Sequence, residues 1–332
     1  MTISARSRHS SPRGCHHRYT LTRIFAARRL PPSQMSINER DPVPASTTTS
    51  VNRQRLSAPR WPVWWPLALG AAVTIPLTLY WWSLVAAGSV AFDWRIFVQA
   101  GERFRAHSPD LYEVSGLYSF RHSPVMALVM PAVAWIGVIG IRLVTLASAL
   151  AMPTWPMRLL TIASWPFAMD AQHGALITPI VLAAAWALKG SRTASVAFII
   201  LTLLSPRPLM LPIAAYLLWQ QPWLRIPSVA LFVAHAAAVL ATGYAGDWLA
   251  MLSSQGTDPI AGPYNLSPTR FLGALWLPIG VALAVFLTWR GRVGWAGLAI
   301  SPYVLPHYLL LLLLEIAPRA VRREPSRQSS AS

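Results

Sequence analysis

Residues 61–90 read WPVWWPLALGAAVTIPLTLYWWSLVAAGSV, and residues 91–124 continue AFDWRIFVQAGERFRAHSPDLYEVSGLYSFRHSP. The first run is uncharged, carries Trp at both ends and is long enough to cross a hydrocarbon core of ~30 Å. The second is the longest polar run between apolar segments. It holds Asp93, Glu102, Asp110 and Glu113, four of the eleven acidic residues in the chain. A membrane-crossing segment that delivers an acidic loop sets the frame for everything else.

Composition agrees with that frame. The chain has 332 residues, of which 54% are hydrophobic and 12% charged, against roughly 25% charged in soluble domains. Its mean hydropathy is +0.43. The net charge of +17 would suggest nucleic acid in a soluble protein. Here the Arg residues sit in the tails and at segment ends, which points to an anionic cytoplasmic leaflet and membrane lipids, not nucleic acid. Cys15 is the only cysteine, so an internal disulfide and a thiolate metal cluster are both excluded. The sequence carries no Gly-rich phosphate loop, no HExxH and no Asp-x-Asp, and so gives no support to a soluble nucleotide-dependent enzyme.

Residues 1–60 contain eleven Arg, one Glu and one Asp with almost no apolar periodicity, as expected of a disordered basic tail. Met35 is an alternative start. With that tail on the cytoplasmic side, the first span carries Asp93 to the outer face. The expected path returns over 125–140 to Arg142 inside, leaves over 143–167, and returns over 175–188 to Lys189 and Arg192. It continues outward over 193–204, inward over 209–220, outward over 226–243 and inward over 271–289. The last pair is 293–300 and 309–316, followed by a basic tail over 318–332. This reading predicts an all-α polytopic membrane domain over 61–317 with about ten crossings, some too short to span upright, and both termini cytoplasmic. It collects Asp93, Arg95, Arg121, His122, Gln172, His173, Arg207, Asp247, Asp258, Asn265 and His307 on the outer face, against an almost purely basic inner face. That asymmetry fits an outward-facing cavity.

The order of short motifs resembles glycosyltransferase family 87, integral membrane enzymes of the GT-C superfamily. Asp93-Trp94-x-Ile96-Phe97-x-x-Ala100-Gly101-x-x-Phe104 directly follows the first span. Leu111-Tyr112 and Phe120-x-x-Ser123-Pro124 come next. Further along stand Gln172-His173-Gly174, Ser205-Pro206-Arg207-Pro208, Asn265-Leu266-Ser267 and the SPYVLPHY run at 301–308. Three positions depart from the family's pattern. His122-Ser123-Pro124 replaces an aromatic-Pro-Pro, Arg207 replaces a Lys before Pro, and His173 separates Gln172 from Gly174. The resemblance implies transfer of a sugar, often mannose, from a polyprenyl-phosphate donor to a lipid or glycan acceptor at the outer side of a bacterial plasma membrane. Inversion at the anomeric carbon, independence from metal and the absence of a cofactor are likewise implied by the family alone. A transporter or flippase of lipid-linked intermediates, or a non-catalytic relative, is the alternative.

Within that expectation Asp93 is the general base, since a carboxylate can accept the proton of an attacking hydroxyl. The competing reading is a helix cap for the segment that follows. Arg207 and Arg95 are candidates to hold the donor phosphate, because guanidinium binds phosphate oxygens in a bidentate way and keeps its charge in a dry site. Each could instead be an interface anchor. His307 could hydrogen-bond donor phosphate or sugar, or satisfy backbone freed by Pro302 and Pro306. His122 and Gln172 complete the expected substrate-binding set. Phe97, Ala100 and Phe104 recur at helical spacing and predict an amphipathic helix lying on the membrane surface. Asn265-Leu266-Ser267 also matches a glycosylation sequon.

Overall fold

The structure, a computed structural model, describes residues 64–88, 91–112, 120–254 and 265–320. The tail over 1–60, Glu113 and Asp258 lie outside the described residues. Every regular element among those described is helical. In chain order they are α1 (Trp64–Ala86), α2 (Phe92–Arg105), α3 (Pro124–Val133), α4 (Gly137–Leu150), α5 (Trp155–Ile162), α6 (Trp165–His173) and α7 (Ile177–Leu188). Then follow α8 (Arg192–Leu204), α9 (Leu211–Gln220), α10 (Arg225–Ala241), α11 (Ala245–Ser254), α12 (Thr269–Leu272), α13 (Trp276–Trp289), α14 (Val293–Ile300) and a tight 3₁₀ helix, Pro306–Glu315.

Three stretches are long and apolar enough to cross a membrane: Pro124–Leu150, Pro222–Ala241 and Thr269–Trp289, of 27, 20 and 21 residues. Their apolar side chains mostly face outward. Phe232, Leu240, Leu275, Val285 and Phe286 are all more than half exposed, a surface that water penalises and hydrocarbon does not.

Two segments of the expected path have different helix bounds in the structure. Residues 143–167 do not form one helix, because α4 ends at Leu150 and the chain continues as the short α5 and α6. Pro156 and Pro166 each occupy the first turn of a new helix, where a missing N–H costs nothing. Nor does Arg142 lie in a turn. It lies inside α4, and its Nη1 donates to the Val85 carbonyl at 3.2 Å, at the end of α1 nearest Asp93. Gly137, at the junction of α3 and α4 within the 124–150 stretch, has a φ of 62° that suits glycine.

The later helices do run between two distinct ends. At one, Gln221 Nε2 donates to Ala187 O at 2.8 Å, Ala320 N to Leu188 O at 2.9 Å and Arg319 Nη2 to Gly291 O at 3.0 Å. Glu315 caps α14 there, accepting from Gly294 N at 2.8 Å and pairing with Arg292 at 3.5 Å. Lys189, Arg192, Arg225, Arg290 and Arg319 sit at or next to the helix termini of that end. At the other end α7 begins, α8 stops short of Arg207, and α14 leads to His307. The bundle is therefore basic at one end and carries its histidines and buried acids at the other.

The core has two parts. The larger gathers Phe167, Ile177, Phe198, Met210, Ile213 and Leu311 from α6–α9 and Pro306–Glu315. The smaller gathers Trp94, Phe97, Ala127, Met130 and Ile141 from α2–α4. The larger is built on backbone-to-backbone contact: a Cβ on Gly297 would lie 2.5 Å from the Leu209 carbonyl oxygen. Substituting small residues at such a crossing over-packs it. Gly297→Ala is therefore expected to cost about 1–3 kcal/mol, read as a fall in the thermal midpoint of the detergent-solubilised chain. Gly246→Ala on α11, where a Cβ meets nothing within 4 Å, is the matched control and should leave the midpoint nearly unchanged.

Candidate active site

The site lies where the two cores meet. Trp94, Phe97, Ala100 and Gly101 form one buried face of α2, seated on α3 so closely that a Cβ on Gly101 would lie 3.0 Å from Met130 Cβ. The amphipathic helix expected here is present, and most of the Asp-Trp motif is its packing face. Asp93 stands four residues before Phe97, at the N-terminal edge of that face. It caps nothing: the N-cap is Ala91, no side chain caps α2, and the Asp93 carboxylate makes no hydrogen bond to a described residue. Burial raises its pKa from 3.8 to about 6, with the Arg207 charge opposing.

Gly174 brings α2 over α6. It ends α6 in the left-handed conformation, φ 69°, with its N–H on Asp170 O at 2.7 Å. A Cβ there would lie 3.0 Å from Trp94 Cβ. Asp93 is thus held beside the Gln172-His173-Gly174 turn. The His173 ring packs edge-on to Trp81 at 5.5 Å and faces the His307 ring at 6.1 Å.

Arg207 enters from the Ser205–Pro208 segment. As the residue before Pro208 it is extended, φ −119° and ψ 132°, which throws its side chain clear of α8 and α9. The guanidinium carbon stands 5.3 Å over the Tyr308 ring. Nη2 makes a long 3.5 Å contact to the Ala175 carbonyl, and the buried Nη1 has no partner among the described residues. Among the described residues Arg207 closes a direct ion pair with neither Asp93 nor Asp170, although its charge acts on both.

His307 is 1% exposed, and neither ring nitrogen has a hydrogen-bond partner among the described residues, so it does not serve the backbone freed by Pro302 and Pro306. Its ring meets Tyr308 edge-on at 4.7 Å. The loop that carries it is fixed by Asn265, whose Oδ1 accepts from Ser267 N and Val304 N, each at 2.9 Å, and whose Nδ2 donates to Pro302 O at 3.1 Å. Ser267 Oγ donates to Ser301 O at 2.8 Å, and Thr269 Oγ1 to Pro302 O. Asn265 is 1% exposed. Its role is to bind the 265–269 and 301–304 loops together, and its amide is not presented for glycosylation.

His122 closes the site beside Phe97 and Phe120, with ring centroids 4.9 and 5.6 Å away. Burial, and then the Arg207 charge, hold its imidazole well below the usual range, so it is neutral at pH 7. Arg121 and Asp93 both lie within electrostatic reach of Tyr303 and Tyr308, with opposite effects on each.

Of the residues expected from sequence, the structure brings together Asp93, His122, Arg207 and His307, with Gln172 buried on α6 beside them. Arg95 does not join: it points outward from α2 and is exposed, since two positions along a helix turn a side chain by about 200°. Asp247 is exposed on α11 and acts on Tyr112. Tyr303, Tyr308 and Asp170 were not singled out by sequence reasoning. Asp170 carried a usable signal, being the single acid between Glu113 and Asp247 and set within an apolar stretch. No group of three or more metal-ligating side chains occurs among the described residues. Compared with family models, curated proteins and solved structures, the chain matches none of them. The reading of the site therefore rests on its own chemistry and on the motif order given above.

Proposed function

We propose that the chain is a multi-pass membrane glycosyltransferase that moves a sugar from a polyprenyl-phosphate donor to a hydroxyl of a lipid or glycan acceptor. One observation carries this reading. Among the described residues, a half-buried carboxylate without a hydrogen bond, Asp93, lies within electrostatic reach of a buried guanidinium whose Nη1 is unpartnered, Arg207. Buried polar groups are ordinarily satisfied, and the two unmet demands here are complementary to a hydroxyl and to a phosphate.

The acceptor oxygen attacks the anomeric carbon while its proton passes to Asp93. The bond from that carbon to the phosphate oxygen breaks, and its electron pair leaves with the polyprenyl phosphate, which gains a negative charge. Arg207 stabilises that charge with charge-assisted hydrogen bonds in a site screened from water. His307 and His122, neutral among aromatic rings, keep a donor or acceptor nitrogen available without adding charge. The site residues lie toward the end of the bundle opposite the basic helix ends, which supports cytoplasmic termini and an outward-facing centre.

The test uses the full chain in liposomes supplied with polyprenyl-phosphate-[¹⁴C]mannose. Label is expected to move to a new lipid or glycan product with release of polyprenyl phosphate. Label that crosses the bilayer still joined to its lipid would replace this reading with translocation.

A further inference from the structure

Asp170 has no part in the chemistry above, yet it lies under the site. It is completely buried, and its carboxylate accepts three hydrogen bonds: from Ile177 N at 3.2 Å, Thr178 N at 2.8 Å and Thr178 Oγ1 at 2.6 Å. These satisfy the first N–H groups of α7 from a residue on the preceding helix. The turn they hold is unusual. Gly174 and Leu176 both adopt left-handed conformations, at φ 69° and 64°, and for leucine that conformation persists only when its surroundings fix it. Between them stands Ala175, whose carbonyl accepts from Arg207 Nη2. Asp170 also lies within electrostatic reach of Arg207 and of His173.

We propose that Asp170 is a positioning residue of this site: by clamping the start of α7 it fixes the 174–177 turn, and through the Ala175 carbonyl it sets the guanidinium of Arg207. The inference rests on the reading of Arg207 as the phosphate-binding cation. A helix cap alone would stabilise α7 with no effect on the ligand. A counter-charge alone would weaken anion binding, so that removing it would tighten binding. Positioning predicts the opposite sign.

Farnesyl phosphate, labelled with tritium, is the probe for equilibrium binding to the full chain in lipid nanodiscs. Asp170→Asn keeps the size of the side chain but replaces one acceptor oxygen with a donor facing the α7 N–H groups. Thr178→Val removes one of the three hydrogen bonds and leaves the charge. Both variants should weaken binding, Asp170→Asn by about tenfold and Thr178→Val by less, within the range that members of one network exert on each other. In an Arg207→Ala background, Asp170→Asn should have no further effect. Unchanged or tighter binding in Asp170→Asn would overturn the proposal, and so would a full additional loss on top of Arg207→Ala. If Asp170→Asn does not fold, Thr178→Val carries the same test. If the wild-type chain shows no saturable binding, the phosphate role of Arg207 fails. An experimental structure of either variant then decides the positioning claim: Arg207 displaced from Ala175 O upholds it, and Arg207 unmoved refutes it.

Discussion

Asp93→Asn is expected to abolish sugar transfer while the chain still inserts in the membrane and still binds the polyprenyl-phosphate donor. General-base catalysis contributes roughly 10²- to 10⁴-fold, and Asn matches Asp in shape without accepting a proton. The same carboxylate sets the pH dependence. A base must be ionised to act, and the pKa of Asp93 is raised to about 6. Turnover should therefore rise with pH through about 6, level off above it, and fall as pH drops below it. A variant with near-normal turnover would remove Asp93 from the mechanism.

A stability effect of opposite sign accompanies that loss. The folded pKa of Asp93 lies above its unfolded value of 3.8, so between these pH values the folded chain binds more protons. Stability then declines as pH rises through that window, and the deficit is complete above about 6. Removing the charge should raise the thermal midpoint at pH 7–8, corresponding to on the order of 3 kcal/mol of stability at ~1.4 kcal/mol per pKa unit. An acid retained against such a cost is placed for reactivity, whereas one that served as a helix cap would stabilise the fold and its loss would lower the midpoint.

Arg207→Gln should produce the second-largest change, and in two separable ways. A hydrogen bond to a charged group contributes about 1.5–3 kcal/mol, so donor KM should rise about tenfold to a hundredfold with acceptor KM little altered. Arg207 also opposes the burial that raises the pKa of Asp93. Without it the acid limb of the pH profile should move above 6. Arg207→Lys keeps the charge but not the forked geometry, and should restore the pH limb more fully than the KM. A KM change without a shifted limb would mean that the two groups do not share one site.

Much of this was legible along the chain because apolar length and helical spacing are local properties. The uncharged run before Asp93, the packing stripe Trp94-Phe97-Ala100 and the helices ending at Lys189 and starting at Val293 follow from them directly. The place of Arg142 inside a helix was not legible, since the sequence marks a charged residue but not which neighbour receives it. The Val85 carbonyl does, fifty-seven residues away. The same holds for 143–167, expected as one crossing, where Thr154 and Ser164 start separate helices. In the site, Asp93, Arg207 and His307 stood out because each is a costly residue in apolar surroundings. Arg95 looked equivalent to Arg207 because nearness to Asp93 in sequence says little about which side of a helix a residue faces. Asn265 sat in a familiar surface motif, and only its bonds to the 301–304 loop identify it as a buried tie.

The most direct measurement is mass spectrometry of the lipids that remain bound when the full chain and its Arg207→Gln variant are purified side by side from the same membranes. The account predicts a polyprenyl-phosphate sugar with the wild-type chain and its depletion from the variant. Bulk phospholipids alone, in equal proportions in both samples, would contradict it.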